Sequence, residues 1–402
     1  MTSKGHPLYI FGMVVAISLL AVALAASNAS SAGNPRISFD QIAQQAEAAR
    51  TADRTNEAIK LYSEGVGLQP SWSKGWWELG SLYYDQDRFA EAGASFRRFI
   101  ATARKPDPAY AFLGLCEYET MDYDRSLQHF RMWAGRGWGG TSELIDVSLF
   151  HFALLLTRQG KFVESLYLLA TEVQRRGRSP ALAEAMGLAS LRMKNLPEDY
   201  PAEEREMVWL AGNSAVFAAL EPNDFARADE YAHRLLVHYE HTPNVHYYAG
   251  TLLGFEGKKD EAEKQFRREL ELSQQNVAAL LKLAGVDLEQ DRLGEAVEFA
   301  KRAVELEPGN ADAHHVRGRV FLAMDQPQQS AKELELAKQL APDGATIRSH
   351  LAMAYDRLGR KDEAKAEMAA FTALKTKEEV FVPPGEKTKA GKPPRSTSGP
   401  PE

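Results

Sequence analysis

The chain has 402 residues, 44% of them hydrophobic and 26% charged, with a formal net charge of −7 and one cysteine. That composition supplies ample core for a soluble chain. Lys and Arg are dispersed among more numerous Asp and Glu, which excludes a basic surface able to track a nucleic-acid backbone.

At the N-terminus, residues 8–26 carry no charge and run through Ile10, Val14, Ile17, Leu20 and Leu24. They read as a membrane-targeting segment. It ends in Ala23-Leu24-Ala25, the small-x-small shape of a signal-peptidase site, and its length also suffices to span a bilayer. Two readings stand for 1–26, a cleaved export signal or a retained membrane anchor. Either predicts a periplasmic or other extracytoplasmic location, with inner-membrane attachment in the second case. No cysteine follows the apolar run, so lipid attachment is not expected. Residues 27–37 read as a linker.

Beyond them a fixed period organises the chain. Trp76-Trp77-Glu78-Leu79-Gly80-Ser81-Leu82-Tyr83 is followed by Ala92, Phe96 and Pro106. The small residue after Leu79 can be followed in register at Ala46, Gly80, Gly114, Ala153, Gly187, Val216, Gly250, Ala284, Gly318 and Ala352, with spacings of 34, 34, 39, 34, 29, 34, 34, 34 and 34. A second pair, small then large four residues later, accompanies it: Ala58 and Tyr62, Ala92 and Phe96, Ser126 and Phe130, Ala262 and Phe266, Ala364 and Met368. Pro70, Pro308 and Pro342 fall where a helix must stop.

These residues resemble the signature of the tetratricopeptide-repeat (TPR) family, W-x2-L-G-x2-Y then A-x3-F then P, and depart from it only in a proline that comes slightly late. The resemblance implies an all-α fold, a right-handed superhelical solenoid of antiparallel helix pairs. About nine pairs fit between Phe39 and Leu374, the small side chains letting paired backbones approach.

Two places break the period. Between Trp133 and Ser142 the chain gains five residues and reads Gly135-Arg136-Gly137-Trp138-Gly139-Gly140. This predicts a flexible loop, with Trp138 either an exposed contact residue or folded back onto the solenoid. No phosphate-binding pattern is present. Between Leu191 and Met207 the chain is five residues short and contains Leu196-Pro197-Glu198-Asp199-Tyr200-Pro201. The helix expected over 181–193 therefore lacks a full partner. Here 194–206 is either a hinge between an N-terminal array (38–193) and a C-terminal array (207–375) or a kink within continuous packing; continuity is favoured, because stacked repeats bury their faces on each other. After Lys375 the pattern stops, and the Pro- and Lys-rich segment 376–402 is expected to be a disordered tail.

Chemistry has little to work with. Cys116 lies among Phe112, Leu113 and Leu115, the setting of a buried small hydrophobe rather than a reactive thiol. His238, His241 and His246, and the adjacent His314 and His315, lack the spacing of a metal motif and are expected to cap helices or face water. No nucleophile elbow or triad can be assembled. Neither catalytic residues, a metal nor a cofactor is expected.

In TPR proteins the first helix of each pair lines a groove. The resemblance places Trp77, Ser81 and Tyr84 there, then Ala111, Leu115 and Tyr118, then Phe150, Leu154 and Thr157. In the C-terminal half it places Tyr247 and Thr251, Leu281 and Gly285, His315 and Arg319, Ser349 and Met353. Trp77, Tyr84, Tyr118, Phe150, Tyr247 and Arg319 are the candidate partner-binding residues. The N-terminal groove is expected to be apolar and aromatic, unlike TPR grooves that grip a C-terminal carboxylate with Lys and Asn. It suits an extended or helical peptide with apolar anchors; the competing reading is that Trp77, Tyr84 and Tyr118 pack between adjacent helices. The expected function is a non-catalytic scaffold that holds a polypeptide partner in the cell envelope. The alternative is cell-wall glycan binding, or an accessory subunit of an envelope enzyme complex, with Trp72, Trp76, Trp77, Trp133 and Trp138 as aromatic platforms.

Overall fold

The computed structural model describes residues 38–380, and no strand occurs among them. The targeting segment, the linker up to residue 37 and the tail beyond Val380 lie outside the described residues. α1 (Phe39–Thr51) pairs with α2 (Thr55–Leu68), α3 (Ser73–Tyr84) with α4 (Phe89–Thr102), α5 (Asp107–Glu119) with α6 (Tyr123–Ala134), and α7 (Ser142–Arg158) with α8 (Phe162–Arg176). After α9 (Pro180–Ser190), pairing resumes with α10 (Arg205–Leu220) and α11 (Ala226–Tyr239), α12 (Val245–Phe255) and α13 (Lys259–Leu272), and α14 (Val277–Glu289) and α15 (Leu293–Leu306). α16 (Ala311–Ala323) with α17 (Pro327–Leu340) and α18 (Ala345–Arg357) with α19 (Lys361–Val380) complete a helical solenoid. The last helix runs five residues past Lys375, where the repeat pattern stops.

The small residue of each first helix does steric work. A Cβ added at Gly80, Gly114, Gly250 or Gly318 would stand 2.9, 2.8, 2.7 or 2.6 Å from the side chain of Phe96, Phe130, Phe266 or Leu334 respectively. Each of those partners lies sixteen residues later, on the second helix of the same pair. Backbone approach therefore sets how deeply the large side chain seats. Where the small residue of the second helix is serine, its hydroxyl donates to the carbonyl of the small residue opposite: Ser126 to Gly114 (2.6 Å), Ser165 to Ala153 (2.8 Å) and Ser330 to Gly318 (2.8 Å). A buried hydroxyl is thus satisfied without a cavity.

The turns repeat as closely as the helices. Seven residues after the small position the backbone turns left-handed, at Asp53, Asp87, Met121, Gly160, Gly257, Asp291, Asp325 and Gly359. Asp and Gly accept that conformation readily, and Met121 is the bulky exception.

Both breaks in the period are packed. Trp138 takes the folded-back alternative: it is 3% exposed and meets Trp133 edge-on at 4.9 Å. Trp133, fully buried, donates its indole N–H to the Gly139 carbonyl at 2.8 Å. The glycine loop expected to be flexible is therefore tied to the core by two tryptophans. The helix expected over 181–193 without a full partner also has one, since α9 lies antiparallel on α10. A Cβ on Gly187 would stand 2.1 Å from the Val208 carbonyl oxygen, and one on Gly212 1.8 Å from that of Ala183. Here two first-type helices meet backbone to backbone, which the missing second helix makes room for. One hydrophobic cluster runs from Tyr110 on α5 to Leu252 on α12 and so crosses the 194–206 connection, where Leu196 is fully buried within it.

Candidate functional site

Curvature follows from which helices touch. Successive first helices contact each other (α5 with α7, α7 with α9, α14 with α16, α16 with α18), whereas the second helices of successive pairs make no comparable contact among the described residues. The first helices therefore form the inner face. Two rows of side chains cross it at 34-residue steps in the C-terminal half: Tyr247, Leu281, His315 and Ser349, then Thr251, Gly285, Arg319 and Met353. All eight are partly or fully accessible.

The N-terminal half differs. Trp77 is half-buried and packs on Phe96, Phe99 and Phe112 at ring separations of 5.7, 5.1 and 5.6 Å. Tyr84 meets Phe89 and Phe112, and burial pushes its phenol up to about 12. Tyr118 lies against Tyr123 and His151, its phenol raised well above the usual range by burial and then by Glu198. Phe150 is half-buried beside His151. Four residues assigned to the groove are not in it: Ala111, Leu115, Leu154 and Thr157 are buried. Ala111, Leu115 and Leu154 belong to the hydrophobic cluster that runs from α5 to α12, and Thr157 is held by a 2.7 Å hydrogen bond to the Ser165 hydroxyl on α8. Tyr247 remains half-buried, with Phe266 at 6.0 Å and the Arg192 guanidinium over its ring.

Electrostatics single out one spot on the open rows. His315 and His350, from α16 and α18, approach to 3.0 Å between Nε2 and Nδ1. Burial, then His350 and Arg319, push the His315 imidazole down to about 3. His350 is lowered as well, chiefly by burial. Both rings are neutral at neutral pH, next to the permanently charged Arg319.

Of the histidines expected to cap helices or face water, His238 and His241 are exposed, whereas His246 and His314 are buried structural ties. His246 Nε2 meets the Glu240 carbonyl at 2.8 Å and its Nδ1 meets Gln265 at 2.6 Å; His314 repeats the pattern with Pro308 at 2.9 Å and Glu333 at 2.7 Å. Trp76 and Arg348 occupy the same register and donate to Pro70 and Pro342, again six residues back. At these four repeats the position clips the inter-repeat turn to its helix, a role invisible from residue type because Trp, His and Arg all fill it. No group of three or more His, Cys, Asp or Glu placed to hold a metal occurs among the described residues. No described helix is long and apolar enough to cross a membrane. Burial raises the Cys116 thiol to about 12, which suppresses the thiolate a nucleophile needs.

Sequence reasoning missed Trp209, 45% exposed on α10, with Tyr231 edge-on at 5.4 Å and Arg234 near both rings. It falls at no repeat-marked groove position.

Known proteins resemble this chain along its repeats. A tetratricopeptide-repeat family model matches residues 44–111 and 78–141. The model for the middle TPR-like domain of cilia and flagella-associated protein 70 matches 202–375. Cellulose synthase operon protein C of Xanthomonas axonopodis pv. citri (strain 306) is 28% identical over 229 residues, 51% of this chain and 15% of that protein. The TPR repeat-containing thioredoxin TDX of Arabidopsis thaliana is 32% identical over 89 residues, 22% of this chain and 23% of its own length. The chain thus spans less than a quarter of these curated relatives. Among solved structures, MamA from Desulfovibrio magneticus RS-1 superposes with a TM-score of 0.36 at 21% identity, over 43% of this chain and 96% of that one. YrrB, described as a TPR protein with an unusual peptide-binding site, gives a TM-score of 0.35 at 14% identity, over 45% and 91%.

Proposed function

The chain is a tetratricopeptide-repeat protein, and from that premise we propose that it is a non-catalytic scaffold holding a polypeptide partner on its inner face. The observation that carries this reading is the double row on α12, α14, α16 and α18, in which all eight residues keep at least partial access to solvent. Half-buried rigid aromatics stand on the first helices of the N-terminal half, and such side chains lose little entropy when they anchor a peptide. Trp77, Tyr84, Tyr118, Phe150, Tyr247 and Arg319 remain the proposed contact residues, those of the N-terminal half each offering the edge that packing leaves free. The apolar, uncharged segment 8–26 supports an envelope location, by export or by anchoring.

The similarity to a protein named for a cellulose synthase operon favours a second reading, an accessory subunit of an envelope enzyme complex that handles glycan. Direct glycan stacking has less to draw on, because Trp133 and Trp138 are buried and Trp72 is packed against Phe39 and Tyr62.

Proximity labelling in the native cell, comparing wild type with Trp77→Ala, Tyr118→Ala and Tyr247→Ala, tests the scaffold. It predicts one discrete labelled polypeptide, lost in at least one variant. Labelling without any discrete polypeptide would end the reading.

A further inference from the structure

Between α12 and α19 the chain carries nine arginines. Eight give a hydrogen bond or ion pair to a carboxylate or carbonyl, as Arg292 does to Glu263 and Arg348 to Glu367. Arg319 is the ninth, and its guanidinium meets no acceptor among the described residues. It is half-buried on the inner face. A guanidinium cannot shed its charge, and the nitrogens of Arg319 stay open to solvent, unlike the buried Nε of Arg317 and Arg348, so an incoming acceptor can reach them.

Its surroundings leave that charge unmatched. His315 precedes it by one turn on α16 and His350 faces it from α18, 3.0 Å from His315. Neither ring brings a negative charge. In the same row stands Gly285, mid-helix on α14, where an added Cβ would meet nothing within 4 Å. Glycine inside a helix costs about 1 kcal/mol relative to alanine, and Gly250 and Gly318 recover that by close packing while Gly285 does not. On the other side of Arg319 in this row, Met353 is 48% exposed. The chain thus keeps an unpaired cation between a glycine with open space above its Cα and an exposed apolar side chain.

We propose that this spot receives a carboxylate of the polypeptide partner, Arg319 gripping it beside His315 and His350 while the partner's backbone passes over Gly285 and an apolar side chain meets Met353. The planar fork of arginine matches a carboxylate in two parallel hydrogen bonds. A lone arginine without neighbouring lysines is too little for a nucleic-acid backbone. This inference rests on the inner face being a polypeptide-binding surface and adds the chemistry it selects.

The test is an array of randomised octapeptides, one half with Asp or Glu fixed at a single position and the other half with Asn or Gln there, probed with the full chain. Wild type should retain the acidic half roughly tenfold better. Arg319→Gln should lose that preference while holding the neutral half as before, and Arg319→Lys should keep part of it. Arg302→Gln, which removes a contact from α15 to the Gln274 carbonyl, should match wild type. Circular dichroism melts confirm that each variant is folded. A wild type that retains both halves equally, or a preference that survives in Arg319→Gln, overturns the carboxylate site and leaves the polypeptide surface standing. If wild type retains neither half, the polypeptide surface falls with it.

Discussion

Met121 holds a left-handed backbone at φ 61 with its side chain 75% exposed, so it bears the strain of that conformation and recovers nothing by packing. Met121→Gly should raise unfolding stability by about 0.5–1 kcal/mol, the relief of strain outweighing the greater freedom of glycine in the unfolded chain. Glu172 is a second local cost. Burial, and then Asp146, raise its carboxyl to about 7 although Arg175 and Arg176 oppose the shift. A raised carboxyl stabilises the fold fully below its unfolded value near 4.5 and loses that contribution as pH rises through about 7. Glu172→Gln should therefore gain on wild type in melting temperature between pH 5 and pH 8, and a constant difference across that range would show that Glu172 does not titrate as described. His314 ties a turn to α17 through Pro308 and the buried Glu333. His314→Ala should cost about 1–3 kcal/mol by leaving Glu333 short of a partner, and neither chelator nor zinc should move the wild-type transition. Sequence predicts that these histidines cap helices or face water and does not show the clip, because its chemistry changes from Trp76 to His246 to Arg348 while only its position persists.

At the scale of elements, the 34-residue spacing read the helix pairs correctly because a small side chain opposite a large one is a steric requirement, repeated wherever two helices must touch. Gly250→Leu should destabilise by ~1–3 kcal/mol, since even a Cβ there would stand 2.7 Å from Phe266. Unchanged thermal unfolding would show that the repeat register in this half is wrong. The α9–α10 contact was not legible. A spacing of 29 marks a missing helix but says nothing of what replaces it, and the answer depends on Gly187 and Gly212 lying against carbonyls rather than side chains. Gly212→Ala should consequently cost more than Gly250→Ala, because a backbone carbonyl cannot rotate aside as a phenylalanine can. Trp138 shows the same limit: four glycines describe a loop's freedom, and only Trp133 explains why this one folds inward.

For the whole molecule, the inner face was legible as a surface and only in part as a site. Residue register put both rows on the first helices, but Leu115 and Leu154 are buried in the cluster that runs from α5 to α12 and Thr157 beside Ser165, long-range packing that no spacing encodes. The emphasis on an aromatic N-terminal groove accordingly shifts toward the C-terminal rows, where Met353 is exposed and Arg319 and Gly285 remain partly accessible. The most direct measurement is site-specific photo-crosslinking in the native cell, with a benzophenone amino acid placed at Tyr247 or Met353 on the first helices, or at Val237 on the second-type helix α11, where the native side chain is 61% exposed. A discrete crosslinked polypeptide from Tyr247 and Met353 but not from Val237 is the predicted result. Crosslinks from Val237 alone, or from none of the three positions, would contradict a polypeptide partner held on the inner face.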